Sequence, residues 1–255
     1  MKKIVVIGGG SGIFNVLKGL KNYPVSITSI VTTFDNGGST GILRDEFGSL
    51  PSGDIRRSIV ALSPDTGDST IRDLFNFRFP KKSSLKGHSF GNLFLQALAT
   101  ISGSEVSAIK KIADILGIKN KILPISTDSA HLYAKLANGK IIRGEKNIDI
   151  PKHDGSIKIK ELYLKPGAII FTEAYEAIIN ADTVIIGPGD LYTSILPNTL
   201  VSGFSEAINK TNAKLVYVLN IMTKWGETNN FKASDFAKTL VSYIKKKKVD
   251  YIICN

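Results

Sequence analysis

A single cysteine, Cys254, stands in 255 residues, which excludes an internal disulfide framework and suits a reducing compartment. No uninterrupted apolar stretch is long enough to cross a bilayer. Met1-Lys2-Lys3 followed by apolar residues mimics a secretory signal, but the apolar run stops at Gly8, short of a proper h-region. These absences predict a cytoplasmic protein without a membrane partner. No Pro-rich, Gly/Ser-rich or charge-block linker divides the chain, and no internal repeat is visible, so a single α/β domain over residues 1–255 is expected. With 43% hydrophobic residues, a chain of this length can bury a substantial core. Also missing are a nucleophile with a base beside it and paired carboxylates at a fixed spacing, which weighs against an enzyme and leaves that question open.

Arginine is scarce. Only 6 of the 33 basic residues are arginines, at positions 44, 56, 57, 72, 78 and 143, and five of them lie between Arg44 and Arg78. The net charge of +11 is carried by scattered lysines, with Lys245 to Lys248 ending a helix where cations suit the dipole. Neither interleaved aromatics nor a nucleic-acid motif accompanies them, which disfavours a polymer partner. The arginine cluster suits bidentate grip of phosphate, hence a small phosphate-bearing ligand.

What the chain does have is glycine at strand ends. Ile4 to Gly12 reads Ile-Val-Val-Ile-Gly-Gly-Gly-Ser-Gly, a buried strand running into a phosphate-sized loop, and Ile13, Val16, Leu17 and Leu20 then recur at helical spacing. Backbone N–H groups at the start of that helix would face an anion. Ile13 stands where a dinucleotide fingerprint needs glycine, and no Gly-Lys-Ser or Gly-Lys-Thr follows, so this is a Rossmann-like opening without either full code. A second strand, Ile27 to Thr32, runs into Thr33-Phe34-Asp35-Asn36-Gly37-Gly38-Ser39-Thr40-Gly41. Asp35 could bind a sugar, a metal or an attacking hydroxyl, or form an Asx-type turn capped by Gly37. Asp54 could cap a helix running to about Leu62 or act as a ligand.

Further helices are predicted at Ser69 to Phe79, after Gly87-His88-Ser89-Phe90-Gly91-Asn92 with Leu93, Phe94, Ala97, Leu98 and Ile101 facing the core, and at Glu105 to Leu116. From about Lys121 to 165 the texture is that of an antiparallel insertion: Ile122 to Ser126, then Leu132 to Leu136 and Ile141 to Gly144 around the hairpin signal Asn138-Gly139, then Ile157 to Leu164. His131 and His153 there lack metal-ligand spacing. Parallel texture resumes with a helix at Glu173 to Ala181 and a strand at Thr183 to Ile186, which empties into Gly187-Pro188-Gly189-Asp190-Leu191-Tyr192-Thr193-Ser194. A helix at Val201 to Lys210, a strand at Leu215 to Leu219, the loop Asn220 to Thr228, a helix at Ser234 to Lys247 and a strand at Tyr251 to Cys254 complete the chain. The expected class is α/β: a Rossmann-like, mostly parallel sheet flanked by helices, with four strand-end loops converging on one edge.

Those loops resemble the gluconeogenesis factor (YvcK-like) branch of proteins related to 2-phospho-L-lactate transferase (CofD). The matching runs are Gly8 to Gly12, Asp35 to Gly41, Gly53-Asp54-Ile55-Arg56, Gly87 to Leu93, Gly187 to Asn198 and Gly226-Glu227-Thr228, in order along essentially the whole chain. The resemblance implies a cytoplasmic protein that binds a UDP-sugar such as UDP-glucose or UDP-N-acetylglucosamine and is linked to cell shape and cell-wall metabolism on gluconeogenic carbon. The transferase branch instead moves a phospholactyl group from a nucleotide-linked donor onto a deazaflavin with magnesium. Asn36 and Ser89 depart from the family's usual Asp and Asn, and many members continue beyond the position of Asn255, so contacts carried by such a tail are expected to be absent. Losing a carboxylate beside Asp35 counts against a two-carboxylate magnesium site, as does a low density of carboxylates around the loops.

The leading expectation is a binding module requiring no cofactor. Gly8, Gly9, Gly10, Ser11 and Gly12 hold a diphosphate, and Thr193 and Ser194 add hydroxyl donors. Asp35 and Asn36 contact ribose or sugar, and Arg44 or Arg56 counters phosphate charge. Gly37, Gly38, Ser39, Asn92, Gly187, Gly189, Tyr192 and Asn220 complete the candidate set. The alternative is a magnesium-dependent transferase, with Asp35 or Asp54 holding metal and His88 assisting proton transfer. A homodimer is compatible with such a fold.

Overall fold

The computed structural model describes residues 1–65, 69–245 and 249–254. The first half of the chain comprises β1 (Lys2–Gly8), α1 (Gly10–Leu20), β2 (Val25–Val31), α2 (Gly38–Phe47), α3 (Gly53–Leu62), α4 (Thr70–Asn76), α5 (Phe90–Ser102), α6 (Glu105–Ile115) and β3 (Lys121–Pro124). An inserted unit follows, of β4 (His131–Leu136), β5 (Ile141–Arg143), α7 (Glu145–Asp149) and β6 (Ile159–Lys165). The remainder is α8 (Thr172–Ile179), β7 (Thr183–Ile186), a π-helical turn at Leu191–Ile195, α9 (Leu196–Thr199), α10 (Phe204–Lys210), β8 (Lys214–Val218), α11 (Ala233–Ile244) and β9 (Tyr251–Ile253).

β1 is buried from Val5 onward because its side chains pack on both faces of a parallel sheet. Val5 and Ile7 join the core on one face, together with Ile30 of β2, while Val6 joins Ile27 and Val31 beneath α1, α3, α5 and α6 on the other. The period of two along each strand produces that division. The sheet order is β3-β2-β1-β7-β8-β9, and the register pairs are parallel throughout, with Ile7 opposite both Ile30 and Ile186. This is the doubly wound order, which reverses direction between β1 and β7 and opens a crevice at their carboxyl ends.

The inserted strands form a separate antiparallel sheet in the order β5-β4-β6. Asn138-Gly139 makes the turn, Gly139 at φ +87°, with the Leu136 N–H donating to the Lys140 carbonyl. Leu132, Ala134 and Leu162 of this sheet share one apolar core with Ile7, Ile186 and Leu215 of the parallel sheet. Among the described residues no helix is long and apolar enough to cross a membrane.

Several local expectations change. Lys121–Pro124 belongs to the parallel sheet, with Ile122 opposite Ser29, so the insertion begins after it. Gly38 to Gly41, expected as loop, open a helix over Gly38–Phe47 that Gly48 closes in the left-handed region. The helix expected from Ser69 runs only over Thr70–Asn76, and Val201 to Gly203 stay out of α10 because Ser202 bridges to Ile169. The buried face of α5 is Gly91, Asn92, Leu95 and Ala99, one step round from the apolar spacing, which leaves Ile101 78% exposed and Ala97 in solvent. Asp54 lies inside the first turn of α3 and caps nothing there, because its side chain reaches across to α1. Of the basic run, Lys245 closes α11 in the left-handed region, and Lys246 to Lys248 lie outside the described residues.

Candidate functional site

The crevice at the β1/β7 reversal is a cleft of about 370 Å³, lined by Gly10, Ser11, Thr32, Asp35, Gly37 and Gly38 on one side. Asp54 and Arg57 of α3 form its back, and Glu145, Lys146, Asp149 and Ile150 of the insertion face Asp190, Thr193 and Ser194 of the β7 loop. Three glycine-bearing loops therefore meet here as expected. The fourth, after β8, lies behind the third as a brace: the Asn220 side-chain Oδ1 accepts from the Gly189 N–H at 2.8 Å, and Glu227 accepts from the Tyr192 N–H at 3.1 Å and the Thr193 hydroxyl at 3.2 Å.

The turn after β1 is shaped by close approach. Gly10 sits at φ +69°, which favours glycine, and a Cβ on Gly12 would stand 2.3 Å from the Pro188 carbonyl oxygen. Gly12 thus lets α1 pack against the β7 loop, and it does not line the cleft. Gly8 and Gly187 are backbone neighbours within that packing, and the Gly187 N–H donates to the Ile7 carbonyl. Beneath Gly9 lies the Asp54 carboxylate: its Oδ1 accepts from the Gly10 N–H at 2.9 Å and from Arg57 at 2.8 Å. Burial pushes the Asp54 carboxyl above its ordinary range, Arg57 opposes that shift, and nearby Asp35 adds to it.

Asp35 takes both of the forms open to it, since its Oδ1 accepts from the Gly37 N–H at 2.7 Å as an Asx turn while the residue lines the cleft. Asn36 points away: its Oδ1 accepts from the Lys146 N–H at 2.9 Å, fastening the insertion to the β2 loop. Ser39 is buried and hydrogen bonds with His88 Nδ1 at 3.1 Å, off the cleft. Asn92 is buried within α5 against Thr40, and Tyr192 is buried with its phenol pushed up to about 12 by desolvation.

Two arginines expected at the phosphate are elsewhere. Arg44 is buried and reaches the Ala130 carbonyl and Ser129, and Arg56 is buried and donates to the Phe75 carbonyl and Asn76 at 2.7 Å. Burial lowers both guanidinium groups, that of Arg56 to about 10. Both tie loops around α2 and α3, and Arg57 is the arginine that reaches the cleft.

The expected low carboxylate density is overturned. Asp35, Asp54, Glu145, Asp149 and Asp190 all line the cleft, brought together from positions too far apart for any local spacing to reveal. Burial, reinforced by a hydrogen bond and charge from Asp35, raises the Glu145 carboxyl well above its ordinary range. A second acidic group, Asp149, Asp190 and Glu227, surrounds the Lys224 ammonium, which contacts Asp149, Asp190 at 2.7 Å and Glu227 at 3.1 Å. Burial works to lower Lys224, but Glu227 and the two aspartates override it and hold the ammonium above its usual range. Desolvation pushes Glu227 up to about 7 despite Lys224. Thr32, Arg57, Glu145, Lys146, Asp149 and Asp190 were not singled out from sequence. For Arg57 the spacing of three residues from Asp54 on a helix was an available signal, whereas the insertion residues carried none.

A family model for 2-phospho-L-lactate transferase CofD matches residues 4–255. The gluconeogenesis factor of Bacillus subtilis is 42% identical over 254 residues, covering 99% of this chain and 78% of that protein, and the Halalkalibacterium halodurans factor is 42% identical over 253 residues, covering 99% and 77%. Relatives from Clostridium acetobutylicum and Nostoc are each 44% identical, and there the chain spans only 56% and 51% of their length. A crystal structure of a UPF0052 family member from Bacillus halodurans superposes with a TM-score of 0.94 at 41% identity, covering 100% of this chain and 81% of that one. With a doubly wound sheet, a switch-point cleft and these relatives in agreement, the chain belongs to the gluconeogenesis factor family, built on a CofD-like domain.

Proposed function

We propose that the chain is a cytoplasmic nucleotide-sugar binding protein of the gluconeogenesis-factor type, which takes a UDP-sugar in the switch-point cleft and links it to cell shape, cell-wall and central carbon metabolism. The observation that carries this reading is the set of donors gathered at the crevice. The start of α1, Ser11 and Ser194 with their hydroxyls, Arg57 and Lys146 all line one cleft at the carboxyl edge of the sheet, while the Thr193 hydroxyl is spent on Glu227. The α1 end and Arg57 receive the diphosphate, and Asp35 with the insertion carboxylates accepts from ribose or sugar hydroxyls.

The gathered carboxylates favour a second reading, a magnesium-dependent transferase acting on a nucleotide-linked donor. Magnesium fits this donor set. Asp35 and Asp54 both line the cleft and offer hard oxygen ligands. Asp35 and Asp54 would hold the ion, which would neutralise charge on a bound diphosphate.

Calorimetric titration with UDP-glucose, UDP-N-acetylglucosamine, GDP and NAD, with and without magnesium, separates the two. Binding of a UDP-sugar without magnesium and without turnover, weakened by Asp35→Ala, supports the binding protein. Binding of GDP only with magnesium supports the transferase, and no binding of any of the four removes both.

A further inference from the structure

The donors at the start of α1 are unevenly available. Asp54 Oδ1 already holds the Gly10 N–H, and Asp54 Oδ2 would lie 2.5 Å from a Cβ on Gly9, so a carboxylate fills the space directly under the loop. The N–H groups of Ser11 and Gly12 precede the first helical hydrogen bond, which the carbonyl of the N-cap Gly9 takes from Ile13. Beside them, Thr32 lines the cleft at 3% exposure, and its Oγ1 is buried without a hydrogen-bond partner. A buried hydroxyl left unpaired is costly, and an acceptor entering the cleft relieves that cost. Asp35 completes a negative surround that Arg57 meets only at Asp54, while burial and Asp35 hold the Glu145 carboxyl toward its neutral form.

Phosphate in this position meets two constraints. One α1 donor is spent on Asp54, and each added negative charge on the ligand is repelled by Asp54 and its neighbours. A diphosphate esterified at both ends carries one charge per phosphate, whereas a terminal phosphate gains a second above about pH 6. We propose that this end of the cleft selects a doubly esterified diphosphate over one with a free terminal phosphate. Asp54 sets the selection, and Thr32 donates its hydroxyl to a phosphoryl oxygen. The inference rests on the nucleotide-sugar reading and specifies which chemical form of that ligand the site accepts.

The test is calorimetry at pH 8 in EDTA with three probes: UDP, the methyl ester of UDP on its terminal phosphate, and UDP-glucose. The methyl ester adds no sugar, so its advantage over UDP reports charge alone. The wild-type protein is expected to bind the ester and UDP-glucose about tenfold more tightly than UDP. Asp54→Asn, which keeps an acceptor for Gly10 and Arg57, is expected to bring the ester-to-UDP ratio below about threefold by tightening UDP. Thr32→Val weakens all three probes about tenfold, and Thr32→Ser restores them. UDP binding as tightly as its ester to the wild type overturns the proposal, and this comparison needs no variant. An unchanged ratio in folded Asp54→Asn overturns the role of Asp54. Failure of the wild type to bind any of the three overturns the nucleotide-sugar reading itself.

Discussion

Two groups of three carboxylates flank the cleft, and each has one cation, yet they are built differently. At Asp149, Asp190 and Glu227 the Lys224 ammonium stands in the middle and touches all three. At Asp35, Asp54 and Glu145 the cation is Arg57, which is bonded to Asp54 alone, so Glu145 and Asp35 are left to hydrogen bond with each other. The first group is closed on itself and ties α7 of the insertion to the loops after β7 and β8. The second is short of positive charge on the side that faces the cleft. Three carboxyl groups and one cation therefore give a structural tie in one place and a site open to a ligand in the other, because contact geometry decides how much of the repulsion is relieved.

This contrast breaks most readily at Lys224. Lys224→Met leaves three adjacent carboxylates uncompensated, one of them buried, and is expected to cost about 3 kcal/mol in urea denaturation at pH 7.5. A loss under about 1 kcal/mol would show that the group is not a tie.

Glu227 sharpens the same point through pH. Its carboxyl is raised to about 7, so between about pH 4.5 and 7 the folded protein binds a proton that the unfolded chain has released. That contribution to stability is full below the ordinary carboxylate range and is lost as pH rises through 7, by about 2 kcal/mol. Glu227→Gln should flatten the stability profile over that window, and denaturation series at pH 5 and 7.5 read the difference.

The open group should respond in the opposite sense to the closed one. Glu145→Gln replaces a carboxyl that burial keeps protonated with a neutral amide, so folding no longer has to take up a proton while a donor for Asp35 remains, and it is expected to stabilise the protein by about 1 kcal/mol or more at pH 8. Destabilisation there would place Glu145 in a compensated network. The smallest effect expected is that of Arg57→Gln. Glutamine keeps a donor for the buried Asp54 carboxyl, which burial already inclines to take up a proton, so stability changes by about 1 kcal/mol, while affinity for a diphosphate falls in the same titrations that test the ligand.

Ile4 to Gly12 announced a buried strand, a tight turn and an amphipathic helix, and the chain forms β1, the Gly9–Gly10 turn and α1 there. Asn138-Gly139 announced its hairpin equally well, since both signals are local. The face of α5 was misjudged because apolar residues outnumber the buried positions. Gly91 is admitted against Arg56 and Phe75, where a Cβ would stand 2.7 Å from each, and so rotates the helix away from Ile101. Arg44 and Arg56 misled for a related reason: an arginine near a glycine-rich loop can grip phosphate or backbone carbonyls, and only the neighbours in space choose between them.

Sequence by itself determined the alternation of strand and helix, the glycine turns and the order of elements that makes a doubly wound sheet, because propensity, periodicity and turn chemistry act over a few residues. Tertiary structure alone decided the charge of the cleft. Asp35, Asp54, Glu145, Asp149 and Asp190 come from different loops and helices, and their shared proton, their burial and their cations exist only once the insertion closes on the sheet. Electrostatic energy depends on distances and desolvation in space, and neither is encoded in the spacing of residues along the chain.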